Sequence, residues 1–312
     1  MAKQAGIAFL GEPLLEIAAT APDQYALGVA GDVLNTAVAV AQLGVPSFLA
    51  TAVGEAEQDQ RFFDGASQFG VSTELIERDS NHQAGLYLIN NSPAGERTFF
   101  YWRNDSAAKH LFASRHRLQL LLAKVQNLQS LYVSGITLSL LNETTRELFF
   151  GWVSHFRQSG GTLFYDNNYR ARLWSSAQEY QSVNREMLKH TDIFLPSLED
   201  VISSGEAGDE CEARQLIRDS GVAEIIIKNG TRPMTVCEGE REYDIPVVAK
   251  ASVVDTTGAG DGFNGGYLAA RGAGLGVLEA AKVGMRVSAE VVCHKGAILP
   301  LPVWQNLKQE LL

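Results

Sequence analysis

Residues 251–266 read ASVVDTTGAGDGFNGG, and they decide how the rest of the chain is read. A short β-branched run, Val253-Val254, meets Asp255, two threonines and then Gly258-Ala259-Gly260. Asp261 follows, where a helix-like segment, GFNGGYLAARGA, begins. Small residues let a backbone come close to a ligand, and the first N–H groups of a helix point outward unpaired. Such a turn collects an anion, helped by the helix dipole. A carboxylate within an anion site is at odds with its surroundings on charge alone. Asp261 makes sense there if it takes a proton from a nucleophile attacking a phosphate. The alternative is that Asp261 only caps the helix.

Upstream of this turn, strand-like and helix-like segments alternate from about residue 110. SLYVSG (130–135) precedes a helix over 142–157, TLFYDNNY (162–169) one over 176–189, and DIFLPS (192–197) one over 208–219. EIIIKNG (224–230) and MTVCEG (234–239) then lead to the glycine turn, and helices over 277–293 and 303–311 close the chain. Alternation of this kind predicts an α/β fold with a mostly parallel sheet flanked by helices. Ligands then bind at the carboxyl ends of the strands. Asp166, Asn167, Asn168, Arg170, Ser197, Lys228 and Asp261 all fall at or just after predicted strand ends, so they can meet at one edge.

The N-terminal part fits the same plan. GIAFLG (6–11) reads as a buried strand, VLNTAVAVAQLG (33–44) as a helix with Val33, Leu34, Ala37, Val38 and Ala41 on one face, and PSFLATAVG (46–54) as the next strand. The Gly31-Asp32 turn lies at that helix start. Residues 57–69 and 73–77 read as helical or mixed. GLYLIN (85–90) and ERTFFYWR (96–103), joined by NSPAG, then read as a hairpin. A lone hairpin is marginal in water. It is predicted to join the segment near 13–30 as a small β-sheet lid over a cleft. Residues 1–312 are thus read as one domain, with the lid inserted from about 13–30 and 84–104.

Bulk properties exclude several classes. With 312 residues, 46% hydrophobic and 20% charged, the chain is long enough for a large buried core. A formal net charge of −10 argues against nucleic-acid binding. No run of 18 apolar residues suggests a membrane span, and Glu12 and Glu16 interrupt the N-terminal apolar run, so a cytoplasmic protein is expected. Cys211, Cys237 and Cys293 form no CxxC pair and read as reduced thiols. Gly260, Gly262 and Gly265 satisfy GxGxxG, yet a helix rather than a second strand follows, against a dinucleotide site. No GxxxxGK[ST] occurs, and none of the six histidines pairs at a metal-ligand spacing in the sequence.

DTTGAGD resembles a signature of the ribokinase-like (PfkB) carbohydrate kinases, and GVAGDVLNTAVAVAQLG at 28–44 resembles the family's earlier glycine signature. It departs at Ala30, where glycine is usual. The resemblance covers nearly the whole chain and implies a ribokinase-like fold, ATP and Mg2+, with a monovalent cation such as K+ left open. It implies Asp261 as the catalytic base, with the backbone of Gly258, Ala259 and Gly260 as an anion hole for the transferred phosphoryl group. Lys228-Asn229-Gly230 matches a nucleotide-loop position, which together with Asn168 implies a cofactor-binding set of Asn168, Lys228, Gly230, Gly258 and Gly260. For Lys228 the alternative is a surface lysine. The Mg2+-associated Asn-x-x-Glu of many relatives stands here as Ser197-Leu198-Glu199-Asp200. Both ends differ, and only a water-mediated role for Asp200 carries over.

Within the family, GERTFFYWRN (95–104), FYDNNYRARLW (164–174) and the turn Gly31-Asp32-Val33-Leu34-Asn35 are similar to segments of 2-keto-3-deoxygluconate kinases. That substrate is a sugar acid, whose carboxylate calls for a guanidinium partner, and Arg103 and Arg170 are the candidates. Arg103 as a strand-edge solubiliser and Arg170 as a phosphate ligand are the alternatives. Tyr87 and Tyr101 are placed to present hydroxyls from the lid, and Gly31, Asp32 and Asn35 to bind sugar hydroxyls. Phe100 and Trp102 fall on the opposite face of their strand, which suggests a homodimer through the lids. The expected reaction is phosphorylation of 2-keto-3-deoxy-D-gluconate at its 6-hydroxyl. A neutral-sugar kinase, for fructose or ribose, and a catalytically silent sugar binder are the rival readings.

Overall fold

Two sheets account for the strands, and the larger one carries the site at its edge. The computed structural model describes residues 3–21, 24–91, 97–247 and 252–311. The chain begins with β1 (Gln4–Leu10), β2 (Leu14–Ala21) and β3 (Gln24–Ala30), followed by α1 (Asp32–Gln42) and β4 (Ser47–Gly54). Next come α2 (Gln60–Gln68), β5 (Val71–Ser72), β6 (Ile76–Asp79), β7 (Leu86–Asn91) and β8 (Arg97–Trp102). Helices α3 (Ala107–Ala113) and α4 (Arg115–Val125) lead to β9 (Leu128–Ser134), α5 (Gly135–Ser139), α6 (Glu143–Gln158) and β10 (Thr162–Asp166). Then follow α7 (Ala177–Leu188), β11 (Ile193–Phe194), α8 (Leu198–Ser203), α9 (Glu210–Arg218) and β12 (Glu224–Ile227). The edge strands β13 (Met234–Glu238) and β14 (Arg241–Ile245) precede α10 (Ala259–Gly272), α11 (Val277–Val291) and α12 (Leu301–Leu311).

The large sheet runs β14-β13-β12-β11-β10-β9-β1-β4-β5, with β6 also paired to β4. It is parallel except at β13 and β14. Its central strands are apolar on both faces because helices cover both. Val33, Val38, Phe263, Leu268 and Val287 of α1, α10 and α11 bury one face, and Leu111, Leu122, Phe149, Val153 and Met187 of α3, α4, α6 and α7 the other. The small sheet runs β3-β2-β7-β8. The register Tyr87↔Tyr101 and Ile89↔Phe99 puts four large side chains on its inner face with Leu14 and Ala30. The methyl of Ala30 belongs to this buried cluster. The hairpin turn at 92–96 lies outside the described residues.

Three local readings differ. The stretch at 73–77 enters strand β6, where Thr51 pairs with Ile76; four residues are too few to show a period. REYDI forms an edge strand whose mostly exposed side chains carry no apolar signal. The last long turn starts its helix at Ala259, not Asp261. The GxGxxG match is explained by packing: a Cβ at Gly262 would lie 2.8 Å from Val291 Cγ2, and one at Gly265 2.3 Å from Ala39 Cβ. These glycines let α10 lie close against α1 and α11, which sets up the site.

Candidate active site

The glycine turn is built by a left-handed residue and an anchored aspartate. Gly258 is the N-cap of α10 with φ 72° and ψ 7°. Asp255 holds the approach to it, accepting from the Thr257 N–H at 2.9 Å and the Gly296 N–H at 2.8 Å. The Ala259 N–H is spent on Thr256 O at 3.2 Å. Those of Gly258, Gly260 and Asp261 meet no acceptor among the described residues, so three donors are left at the positive end of the helix.

Asp261 occupies the first turn of α10 rather than its cap. The close helix pair brings Asn35 Nδ2 to 2.8 Å from Asp261 Oδ2. Burial pushes the Asp261 carboxyl up to about 7, Asp32 and Asp166 add repulsion, and Asn35 and Lys228 act the other way. A group balanced near neutrality serves as a general base. Asn35 Oδ1 is buried with no partner among the described residues, an acceptor waiting for a ligand hydroxyl.

Asp32, in the first turn of α1, is also buried. Its Oδ2 accepts from Ser134 Oγ at 2.5 Å and Asn168 Nδ2 at 3.2 Å. Burial raises its carboxyl above the ordinary range, while Ser134 and the Val33 N–H resist. Gly31 has φ 132°, and a Cβ there would come within 3.0 Å of Glu12 O and Pro13 Cα. The amide of Asn168, a residue expected on the nucleotide, braces Asp32, from a backbone with φ 28°.

Lys228 is no surface lysine. Its side chain is 15% exposed, and Nζ sits 3.1 Å from both Asp166 Oδ2 and Asn264 Oδ1. The same ammonium would be 3.9 Å from a Cβ at Gly260, so it lies beside the anion turn. Gly230, with φ 60°, has open space around it. Asp166 and Asn264 tie the turn to the sheet, with Asn264 Nδ2 donating to Asp166 at 2.7 Å and to the Tyr132 hydroxyl at 3.1 Å. Asn264 was not singled out from the sequence. Its signal was faint, a polar side chain one helical turn beyond Asp261 on a helix otherwise lined by apolar and small residues.

The lid side brings corrections. Arg103 is buried, and its Nε and Nη2 both donate to Glu12, with Nε at 2.8 Å. It is therefore not an exposed strand-edge solubiliser, and its guanidinium is shared with Glu12. Glu12 also accepts from Ser106 Oγ. Breaking such a pair leaves a buried charge, so Arg103→Ala should cost about 3–5 kcal/mol in urea unfolding. A loss under about 1 kcal/mol would contradict a structural role. The Tyr87 hydroxyl donates to Glu16 rather than pointing free to a ligand. Tyr101 stacks on Tyr87 at 5.5 Å, and the Arg172 guanidinium lies over its ring at 3.4 Å. Arg172 thus joins the lid to the loop after β10, a link that sequence distance conceals. Arg170 is 45% exposed in its side chain and lies 3.2 Å from Asp200 Oδ1. Burial pushes Asp200 up to about 6 against the pull of Arg170.

A buried carboxyl raised to about 7, beside unpaired N–H groups at a helix start, fits the transfer of a phosphoryl group to a hydroxyl. A model described as "pfkB family carbohydrate kinase" matches residues 14–304, and the chain belongs to this family of ATP-dependent sugar kinases. It is 38% identical over 303 residues to the 2-dehydro-3-deoxygluconokinase of Escherichia coli K12, covering 94% of this chain and 97% of that protein. It is 36% identical over 304 residues to the 2-dehydro-3-deoxygluconokinase of Dickeya dadantii 3937, with 95% and 97% covered. The aminoimidazole riboside kinase of Salmonella enterica, solved with aminoimidazole riboside and an ATP analogue, shares the fold with a TM-score of 0.82 at 22% identity, covering 98% of this chain and 100% of that one.

Proposed function

We propose that the chain phosphorylates 2-keto-3-deoxy-D-gluconate at its 6-hydroxyl, with ATP as donor. The observation that carries the chemistry is Asp261, its carboxyl raised to about 7 beside three unpaired backbone N–H donors. The names of relatives at 36–38% identity support the acceptor. Asp261 takes the proton as the hydroxyl attacks. The Gly258, Gly260 and Asp261 N–H groups hold the transferred phosphoryl oxygens, and the Lys228 ammonium offsets their charge. Asn35, Asp32 and Gly31 position the sugar hydroxyls.

Asp166 and Asp200 repel one another across the nucleotide side. A divalent cation relieves that repulsion, so the residues fit Mg2+, reached from Asp200 through water. When bound, Mg2+ shields the phosphate charge. Turnover in K+ against Na+ buffers reads whether a monovalent ion takes part. For the substrate carboxylate Arg170 is the more available guanidinium, while Arg103 acts from behind, through the Glu12 pair. An Arg170→Ala variant that raised KM equally for the acid and for a neutral analogue would remove Arg170 from this role.

The lid's outer face exposes Tyr25 (55%), Leu27 (37%), Phe100 (45%) and Trp102 (57%). An apolar face of this kind is covered by a partner, and a second copy of the lid fits a homodimer. Trp102→Glu should then shift the mass measured by light scattering from dimer to monomer. A wild-type chain monomeric at micromolar concentration would exclude the dimer.

A further inference from the structure

Two of the four segments that join the lid to the core meet at a pair of histidines. His82 lies between β6 and β7, and His110 lies in α3, just after β8. Their rings stack with centroids 3.5 Å apart at 18°. His110 Nε2 is 2.6 Å from Asp105 Oδ1. His82, Asp105 and His110 each offer one ligand atom, and these atoms lie within 4.8 Å of one another. The sequence concealed this group, because its histidines are far apart along the chain.

A second layer stands behind it. His82 Nδ1 is 3.2 Å from both carboxylate oxygens of Asp79. Asp79 is itself buried and fixed by the Asn81 N–H at 2.9 Å, the His82 N–H at 3.1 Å and Arg117 Nη1 at 2.6 Å. A carboxylate accepting from Nδ1–H leaves the Nε2 lone pair of His82 for a metal, the arrangement that orients many metal-binding histidines. Two imidazole nitrogens and one carboxylate oxygen suit Zn2+, Co2+ or Ni2+, with the remaining positions filled by water. Mg2+ prefers all-oxygen sites and does not compete. Ligation needs the two lone pairs to converge. His110, 40% exposed in its side chain, can turn out of the stack to meet His82.

We propose that His82, Asp105 and His110 bind a divalent ion of the zinc class, which clips together two of the four segments that connect lid and core. The inner side of this joint is already tied, by the Ala107 N–H to Gln83 O at 2.8 Å and by Arg103 and Ser106 on Glu12. The ion adds a tie on the outer side, and lid motion gates turnover in enzymes of this kind.

Equilibrium dialysis of the full chain against Zn2+ tests the site. One equivalent should be retained, and the His82→Gln/His110→Gln double variant should bind at least about tenfold more weakly. Asp79→Asn, which leaves the ligands in place, should weaken binding about 10–100-fold. Turnover of the double variant in buffer that holds Mg2+ but no zinc-class ion reports that it is folded. The Co2+ form should lack a thiolate charge-transfer band, which separates this site from the exposed Cys211. No retained Zn2+, or equal retention by the double variant, overturns the site. Saturating Zn2+ should slow the wild type more than the double variant, and equal slowing overturns the clip.

Discussion

Asp261→Asn should lower kcat by about 10²–10⁴-fold, the range general-base catalysis supplies, while sugar binding is largely kept. The amide keeps the shape of the carboxyl and cannot accept the proton. In the wild type, kcat/KM should rise with pH through about 7, where the Asp261 carboxyl ionises in the folded chain. Stability should move the other way. The group's ordinary value is 3.8, so between that and about 7 the folded chain holds a proton that the unfolded chain has lost. That contribution is fully present below the unfolded value and is lost as pH rises through the folded one. Asp261→Asn should therefore raise Tm relative to wild type at pH 8 by more than at pH 4. Wild-type turnover in this variant would end the role of Asp261 as base, and a Tm difference that does not change with pH would end the account of its burial.

Gly258→Ala should cost nearly as much activity through geometry alone. Its φ of 72° disfavours any residue with a Cβ, and the added methyl would lie 2.4 Å from Ala297 Cβ and 2.8 Å from Ala297 Cα. The left-handed conformation costs about 1–2 kcal/mol for an L-residue, before any clash. The clash is with backbone that cannot rotate away, so the turn has to move. Displacing oriented donors from a developing charge costs about 10²–10³ in kcat. The loss should appear in kcat with little change in KM for the sugar. A folded Gly258→Ala protein with unaltered kcat would show that the turn does not hold the phosphoryl group.

What was legible in the sequence follows from how local each signal is. The glycine turn, Asp261 and the Gly31-Asp32 turn are contiguous features whose residue types state their backbone needs, and the structure keeps them as helix starts. The lid was legible because alternation in ERTFFYWR separates Tyr101 from Phe100 and Trp102 within one strand. Partners far apart in the chain were not legible. Glu12 claims Arg103 across 91 residues, and Asn35 meets Asp261 across 226. No residue type announces such a pairing; it depends on which strand ends and which helices the fold brings together. Arg103 was read as free for the same reason that Asp166 and Asn264 were undervalued: a charge shows its chemistry in sequence, but not whether another charge has already claimed it.

ATP-dependent turnover measured side by side with 2-keto-3-deoxy-D-gluconate, fructose and ribose decides whether the chain is a sugar-acid kinase. A site built around a carboxylate rejects analogues that leave its buried polar groups unpaired. The expected result is a kcat/KM for the sugar acid at least about 100-fold above either neutral sugar. Equal or better turnover of fructose or ribose would contradict the account, and no turnover of any sugar would return the chain to a silent binder.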